Sequence, residues 1–173
     1  FQFKDPKNYY LRDIFVFASF TALSFVDIKE LSNEQIVEVN GEKWIISKRH
    51  KTGVPFQVKL LDIPLQIIER YKPFQENNLV FPNLNYWSIC KRMGKMIKEC
   101  GITKKISFHC SRHGFATLAL SKGMPIESVS RILGHTNIET TQIYAKITVQ
   151  KLDNDLTMLS DKLSKSFGNV KMA

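Results

Sequence analysis

Four side chains near the end of the chain have the types and spacing to act on a phosphate. They are His109, Arg112, His135 and Tyr144, within the stretch SFHCSRHGFATLALSKGMPIESVSRILGHTNIETTQIYAK at 107–146. Breaking a phosphodiester requires a nucleophile, donors that neutralise charge on the non-bridging oxygens, and a proton for the leaving oxygen. A tyrosine can be the nucleophile and store the bond energy as a phosphotyrosine. Arginine offers a rigid fork to two phosphate oxygens that a lysine does not reproduce, and both histidines can donate hydrogen bonds to the same group.

The local sequence says how these residues are held. Ser107 reads as an N-cap, and 108–120 carries apolar residues at Phe108, Phe115, Leu118 and Ala119 before the stop at Gly123, so a helix is expected there. His109 and Arg112 then share a face of its first turn, where free N–H groups and the positive dipole end favour an anion. A second helix is expected over 124–133, with Pro125 in its first turn, Ile126, Val129 and Leu133 on one face, and Gly134 as its stop. His135 follows directly. Thr136 and Glu139 form a T-x-x-E capping box, which predicts a further helix carrying Tyr144 about two turns along.

Singly these residues have ordinary structural readings: a lone histidine is usually a satisfied structural group, and a tyrosine on an amphipathic helix usually packs. Their order is more specific. H-x-x-R-H-G-F-A-T, then L-G-H, then a tyrosine nine residues after that histidine resembles the catalytic signature of the tyrosine recombinases, the phage-type integrase family. His113, Gly114 and Phe115 belong to the resemblance, His113 as helix packing rather than chemistry. The family also has an upstream T-G-L-R-x-x-E/D motif and a lysine on a β-hairpin. FTALSFVDIKEL at 20–31 matches the first, with Thr21, Leu23, Asp27 and Leu31 in register but Ser24 at the arginine position. KRHKTGVPFQVKL at 48–60 matches the second, with Lys51 before the turn Thr52-Gly53.

The resemblance implies a site-specific DNA recombinase that cuts and rejoins double-stranded DNA through a 3′-phosphotyrosine, without ATP, metal or other cofactor. Tyr144 would be the nucleophile, Arg112 the phosphate clamp, and His109 and His135 phosphate donors, His109 also assisting the tyrosine proton. Lys51 would be the general acid for the 5′-oxygen; its plain alternative is a backbone-phosphate contact. Ser24 cannot supply a guanidinium, so another cation substitutes, or the hydroxyl serves with less effect, or the protein is inactive. The conjugative-transposon integrase branch, with T-G-L-S, looks like this. Arg12, Arg49 and Arg131 are the candidate substitutes, and Asp27 is either the acid that orients a cation or a helix cap.

Of the 173 residues 43% are apolar, enough for a sizeable core, and the net charge of +9 favours a polyanionic partner. Ile36-Val37-Glu38-Val39, Asn40-Gly41 and Trp44-Ile45-Ile46 read as a hairpin, with a third strand at 56–60 after the Thr52-Gly53 turn. Helices are expected at 65–71, opened by Pro64, and at 86–100, ended by Gly101. The apolar run 14–26 reads as a buried helix and turn, too short to span a bilayer. The expected fold class is α+β: a mostly helical catalytic domain over 1–150 with a small three-stranded antiparallel sheet.

A helix and tail are expected over 151–173. Val149, Leu152, Leu156, Leu159 and Leu163 recur at helical spacing. That stripe packs either on its own domain or, the reading the resemblance favours, on a neighbouring protomer; 164–173 shows no periodicity and is expected to be disordered. The chain begins with Phe1, and the DNA-gripping helical domain that precedes catalytic domains of this kind is not among these residues. A homo-oligomer, tetrameric on DNA, is implied. Cys90, Cys100 and Cys110, without C-x-x-C spacing, suggest a reducing cytoplasm, and the polar, charged start at 1–12 with no apolar run long enough for a span leads to an expectation of no membrane partner. A zinc site from His109, Cys110 and His113 is disfavoured because adjacent ligands at one helix start splay apart. A type IB topoisomerase-like DNA-relaxing enzyme and an inactive DNA-binding member remain the alternatives.

Overall fold

The computed structural model describes residues 2–145 and 149–167. Its centre is α1 (Lys7–Thr21), which buries Leu11, Ile14, Phe17 and Ala18 at helical spacing. It ends at Ala22, a non-glycine in the left-handed region (φ 57°) whose N–H returns to the Ala18 carbonyl. Ser24 then caps the short α2 (Phe25–Lys29) in a reciprocal box with Asp27. The expected sheet follows in the order β1 (Ile36–Val39), β2 (Glu42–Lys48) and β3 (Pro55–Lys59), antiparallel throughout. Asn40 and Gly41, at φ 52° and 75°, make the tight turn between β1 and β2.

The remaining helices are α3 (Asp62–Tyr71), α4 (Tyr86–Glu99), α5 (Cys110–Ser121), α6 (Ile126–Leu133), the single turn α7 (Glu139–Gln142) and α8 (Val149–Phe167). α1 is packed by α3, α4 and α5, and β3 lies against α6. Ile45, Phe56 and Val58 carry the sheet into the main core, where Phe17 meets Phe81 edge-on at 4.8 Å. A second cluster joins Ala22 to Ala116, Ala119 and Leu120 of α5 and to Val129 and Leu133 of α6.

The fold class is the one expected, but several boundaries differ. Pro64 lies inside the first turn of α3 rather than opening it. α5 starts at Cys110, with His109 at the cap position; Ser107 is not its N-cap, because its hydroxyl faces the Cys110 thiol at 3.5 Å. Thr136 and Glu139 form no box. Asn137 takes that role, its side chain accepting from the Glu139 N–H at 2.9 Å and donating to the Glu139 carboxylate at 3.0 Å. The helix it starts lasts one turn, so Tyr144 lies in the turn after α7 rather than two turns along a helix.

α8 continues to Phe167, so 164–167 is helical, and residues 168–173 lie outside the described part. Its stripe is not packed on its own domain: Leu152, Leu156, Leu159 and Leu163 are all about half exposed. No described helix is long and apolar enough to cross a membrane.

Candidate active site

The site is assembled at the C-terminus of α6. A helix end leaves its last carbonyls without intrahelical partners and carries the negative end of the dipole. Gly134, at φ 63°, stops α6 and leaves the Ile132 and Leu133 carbonyls pointing out. Each receives a guanidinium: Arg49 Nη2 donates to the Ile132 oxygen and Arg112 Nη2 to the Leu133 oxygen. Arg112 Nη1 also donates to the Ala22 carbonyl at 2.8 Å, the group exposed by the left-handed end of α1. Two arginines from distant parts of the chain thus lie side by side.

Of the three candidate substitutes for the missing arginine, the fold brings only Arg49 to this place. Arg12 is tied to Asp13 at 2.6 Å and covers the Tyr9 ring. Arg131 is exposed on α6 and, among the described residues, forms no side-chain bond to the cluster. Arg49 is buried to 5% exposure, stacks 3.9 Å over the Phe56 ring, and donates to Asp27 Oδ2 at 2.7 Å. Gly134 is required beside it, since a Cβ there would stand 2.8 Å from Arg49 Cγ.

Asp27 touches both Arg49 and the cap of α2. One oxygen accepts from the Ser24 hydroxyl at 2.8 Å and from Arg49; the other accepts from the His50 N–H at 3.0 Å. Burial pushes its carboxyl up, but the His50 N–H and the Arg49 charge outweigh burial and hold it below its ordinary value. Ser24 is therefore occupied as a helix cap. The same contacts anchor the β2–β3 turn, in which Lys51 is exposed two residues beyond Arg49.

The histidines and the tyrosine complete the cluster. His109 leads into α5 one turn before Arg112, and His135 Nδ1 is 2.9 Å from the Thr141 hydroxyl. Burial lowers both histidine pKa values, assisted for His109 by His113 and Arg112 and for His135 by Arg112 and Arg49. Arg112 itself is pulled down to about 10 by burial and by the Arg49 charge. Such mutual repulsion is what an anion placed between the groups would relieve. The Tyr144 phenol is raised by burial, against the pull of Arg112, so it is protonated at neutral pH and needs a base to act as a nucleophile.

His113, read as packing, does pack, but between the site's own rings: 4.4 Å from His109 and 5.1 Å from Tyr144, both edge-on. Sequence reasoning missed Thr141 and the Ala22, Ile132 and Leu133 carbonyls. Backbone acceptors carry no residue-type signal, and Thr141 stands among threonines that look alike. Cys110 pairs with Ser107, and among the described residues no three ligating side chains converge on a metal position.

The model of the phage integrase family matches residues 2–151. Tyrosine recombinase XerA of Pyrococcus horikoshii is 31% identical over 139 residues, 72% of this chain and 47% of that protein. Tyrosine recombinase XerD of Listeria monocytogenes is 36% identical over 120 residues, 65% and 39% respectively. The chain therefore spans less than half of the length of these relatives. Among solved structures, the Tn1549 transposon integrase in complex with a circular intermediate DNA superposes with a TM-score of 0.74 at 17% identity, covering 90% of this chain and 60% of that one. The XerH site-specific recombinase bound to a palindromic difH substrate gives 0.72 at 22%, covering 92% and 48%. At these identities the superpositions establish the fold.

Proposed function

Because the chain belongs to the phage integrase family, we propose that it is the catalytic domain of a site-specific tyrosine recombinase, an integrase of a mobile element acting on double-stranded DNA. The observation that carries this is the pair of guanidiniums at the end of α6, flanked by His109, His135 and Tyr144. Arg112 binds two non-bridging oxygens of the scissile phosphate. Arg49, beneath it, supplies the second positive charge that Ser24 cannot, with Asp27 fixing its orientation; being buried, it acts through its field more than by direct contact.

Tyr144 Oη attacks phosphorus, its proton passing to His109, which is neutral at pH 7 because burial lowers its pKa. The P–O bond to the 5′-oxygen breaks, Lys51 protonates that oxygen, and a 3′-phosphotyrosine remains. Attack by a 5′-hydroxyl reverses these steps, so rejoining needs no ATP. Residues 1–150 form this catalytic unit. The exposed leucine stripe of α8 is a docking element for a neighbouring protomer, consistent with a tetramer on DNA in a cytoplasmic setting.

The test uses the full-length protein and a duplex nicked near the cleavage point, read on a denaturing gel without metal or ATP. A slow covalent complex that Tyr144→Phe abolishes while still binding DNA is expected. A complex formed by Tyr144→Phe would reject the nucleophile; none from the wild type on its correct site would leave the DNA-binding reading.

A further inference from the structure

We propose that Thr141 is a positioning residue of this site: its hydroxyl donates to His135 Nδ1 and so fixes the imidazole tautomer that carries its hydrogen on Nε2, the nitrogen left to bond a phosphate oxygen. This deepens the recombinase reading and rests on it. It gives a task to a residue whose type announces none. Thr141 is fully buried, at 0% exposure, although α7 is a single turn whose other three residues are exposed. Its Oγ1 lies 2.9 Å from His135 Nδ1 and, among the described residues, has no other hydrogen-bond partner.

A hydroxyl and a ring nitrogen can share a hydrogen in either direction, and the surroundings decide which. A buried donor without an acceptor is costly, and rarer than a carbonyl lone pair left unused. In a helix a threonine hydroxyl can turn back to the carbonyl three or four residues earlier. Here the Ile138 carbonyl already accepts from the Thr141 N–H at 2.7 Å and the Gln142 N–H at 3.2 Å, and the Asn137 carbonyl accepts from the Thr140 N–H at 3.2 Å. The Thr141 hydroxyl therefore gives its hydrogen to Nδ1. A neutral imidazole has one N–H, so with Nδ1 accepting, that hydrogen is on Nε2. The opposite tautomer would turn an Nε2 lone pair towards a phosphate oxygen, which repels where a donor is needed.

The charge state of the ring agrees. Burial, with the Arg112 and Arg49 charges, holds the His135 pKa below its ordinary value. A doubly protonated ring would also set an N–H against the hydroxyl and orphan the hydroxyl's own hydrogen. The two guanidiniums thus supply the positive charge, and His135 supplies a directed, neutral N–H. Both members of the pair are anchored. The His135 N–H returns to the Ser130 carbonyl at 3.1 Å across the end of α6, and the Thr141 carbonyl accepts from the Tyr144 N–H at 3.0 Å. Thr141 therefore ties the phosphate donor through its side chain and the backbone of the nucleophile through its carbonyl.

The experiment uses the full-length protein isotope-labelled at its histidine nitrogens, with the His135 ring signals identified by their loss in His135→Gln. Nitrogen NMR of the wild type and of Thr141→Ser is expected to show a protonated Nε2 and a bare Nδ1. Thr141→Val, which keeps the shape and removes the hydroxyl, is expected to lose that preference. On the nicked duplex Thr141→Val is expected to form covalent complex about 10- to 100-fold more slowly, the loss usual when the hydrogen-bond partner of a metal-ligating histidine is removed. Its DNA affinity should stay near normal, and Thr141→Ser should recover most of the rate. In the His135→Gln background Thr141→Val is expected to cost almost nothing further, since no tautomer is left to fix. A hydrogen on Nδ1 in the wild type, wild-type cleavage by Thr141→Val, or an equal loss from Thr141→Val in both backgrounds overturns the proposal; the last would make Thr141 a packing residue. The tautomer is read without cleavage, so a wild type that forms no covalent complex sinks the recombinase reading separately from this one.

Discussion

Arg49 is the residue whose replacement most directly tests how a site without its usual first arginine works. In Arg49→Met the apolar stem still covers Phe56, but Asp27, 5% exposed, loses its cationic partner. Removing one member of a buried pair costs about 3–5 kcal/mol. Asp27 keeps its bonds from Ser24 and His50, which places the expected loss at the lower end, about 3 kcal/mol, or roughly 6–12 °C in melting temperature for a chain of this size. The loss is pH-dependent, and its sign follows from Asp27. In the wild type the carboxyl is held below its ordinary value, so its stabilisation is present above the unfolded pKa and lost as pH falls through the folded one. Without Arg49, two of the influences that hold the carboxyl down are gone and it rises from its wild-type position, so acid relieves the variant. The gap between wild type and variant, from urea unfolding, is therefore widest at neutral pH and narrows towards pH 4. Arg49→Met/Asp27→Leu removes the orphaned charge and is expected to recover only part of the stability, because the cap of α2 and the bond from the His50 N–H go with the carboxylate. Covalent-complex formation stays about 10²–10³-fold down, the usual loss for one electrostatic group at such a site. Cleavage that returned along with stability would refute the reasoning and reduce Arg49 to a structural pin.

Three other predictions address the same cluster. Gly134→Ala puts a Cβ 2.8 Å from Arg49 Cγ in a left-handed backbone; strain of about 1–2 kcal/mol plus displacement of Arg49 should lower both the melting temperature and cleavage, measured by calorimetry and the nicked-duplex gel. Arg112→Lys retains charge but cannot reach the Ala22 and Leu133 carbonyls and fork to a phosphate at once, so about 10²-fold less covalent complex with near-normal DNA affinity is expected. His109 and His135 have folded pKa values depressed by burial, so their contribution to stability is present above about pH 6.5 and lost as pH falls through the folded values; urea titrations from pH 7.5 to 5 should show this decline, smaller in His109→Gln/His135→Gln.

The order of the motifs, the three-stranded sheet and the helix stops at Gly123 and Gly134 were legible in the chain, because turn glycines, alternation and helical periodicity are local properties. That legibility reached the side chains whose type announces chemistry: His109, Arg112, His135, Tyr144. It did not reach the caps at Ser107 and Thr136, where several hydroxyl and amide side chains competed for the same N–H groups and only the packed backbone chose Asn137 and left Ser107 to Cys110. Nor could it choose among Arg12, Arg49 and Arg131. All three carry the same charge, and the choice depended on the packing that brings Arg49 to a helix end 83 residues away, at the Ile132 carbonyl. The residue types that could handle a phosphate belong to the sequence. The pairing of Arg49 with Arg112 belongs to the tertiary structure, because the C-terminal carbonyls of α6, the left-handed end of α1 and the Asp27 carboxylate come together only when the sheet is packed against that helix.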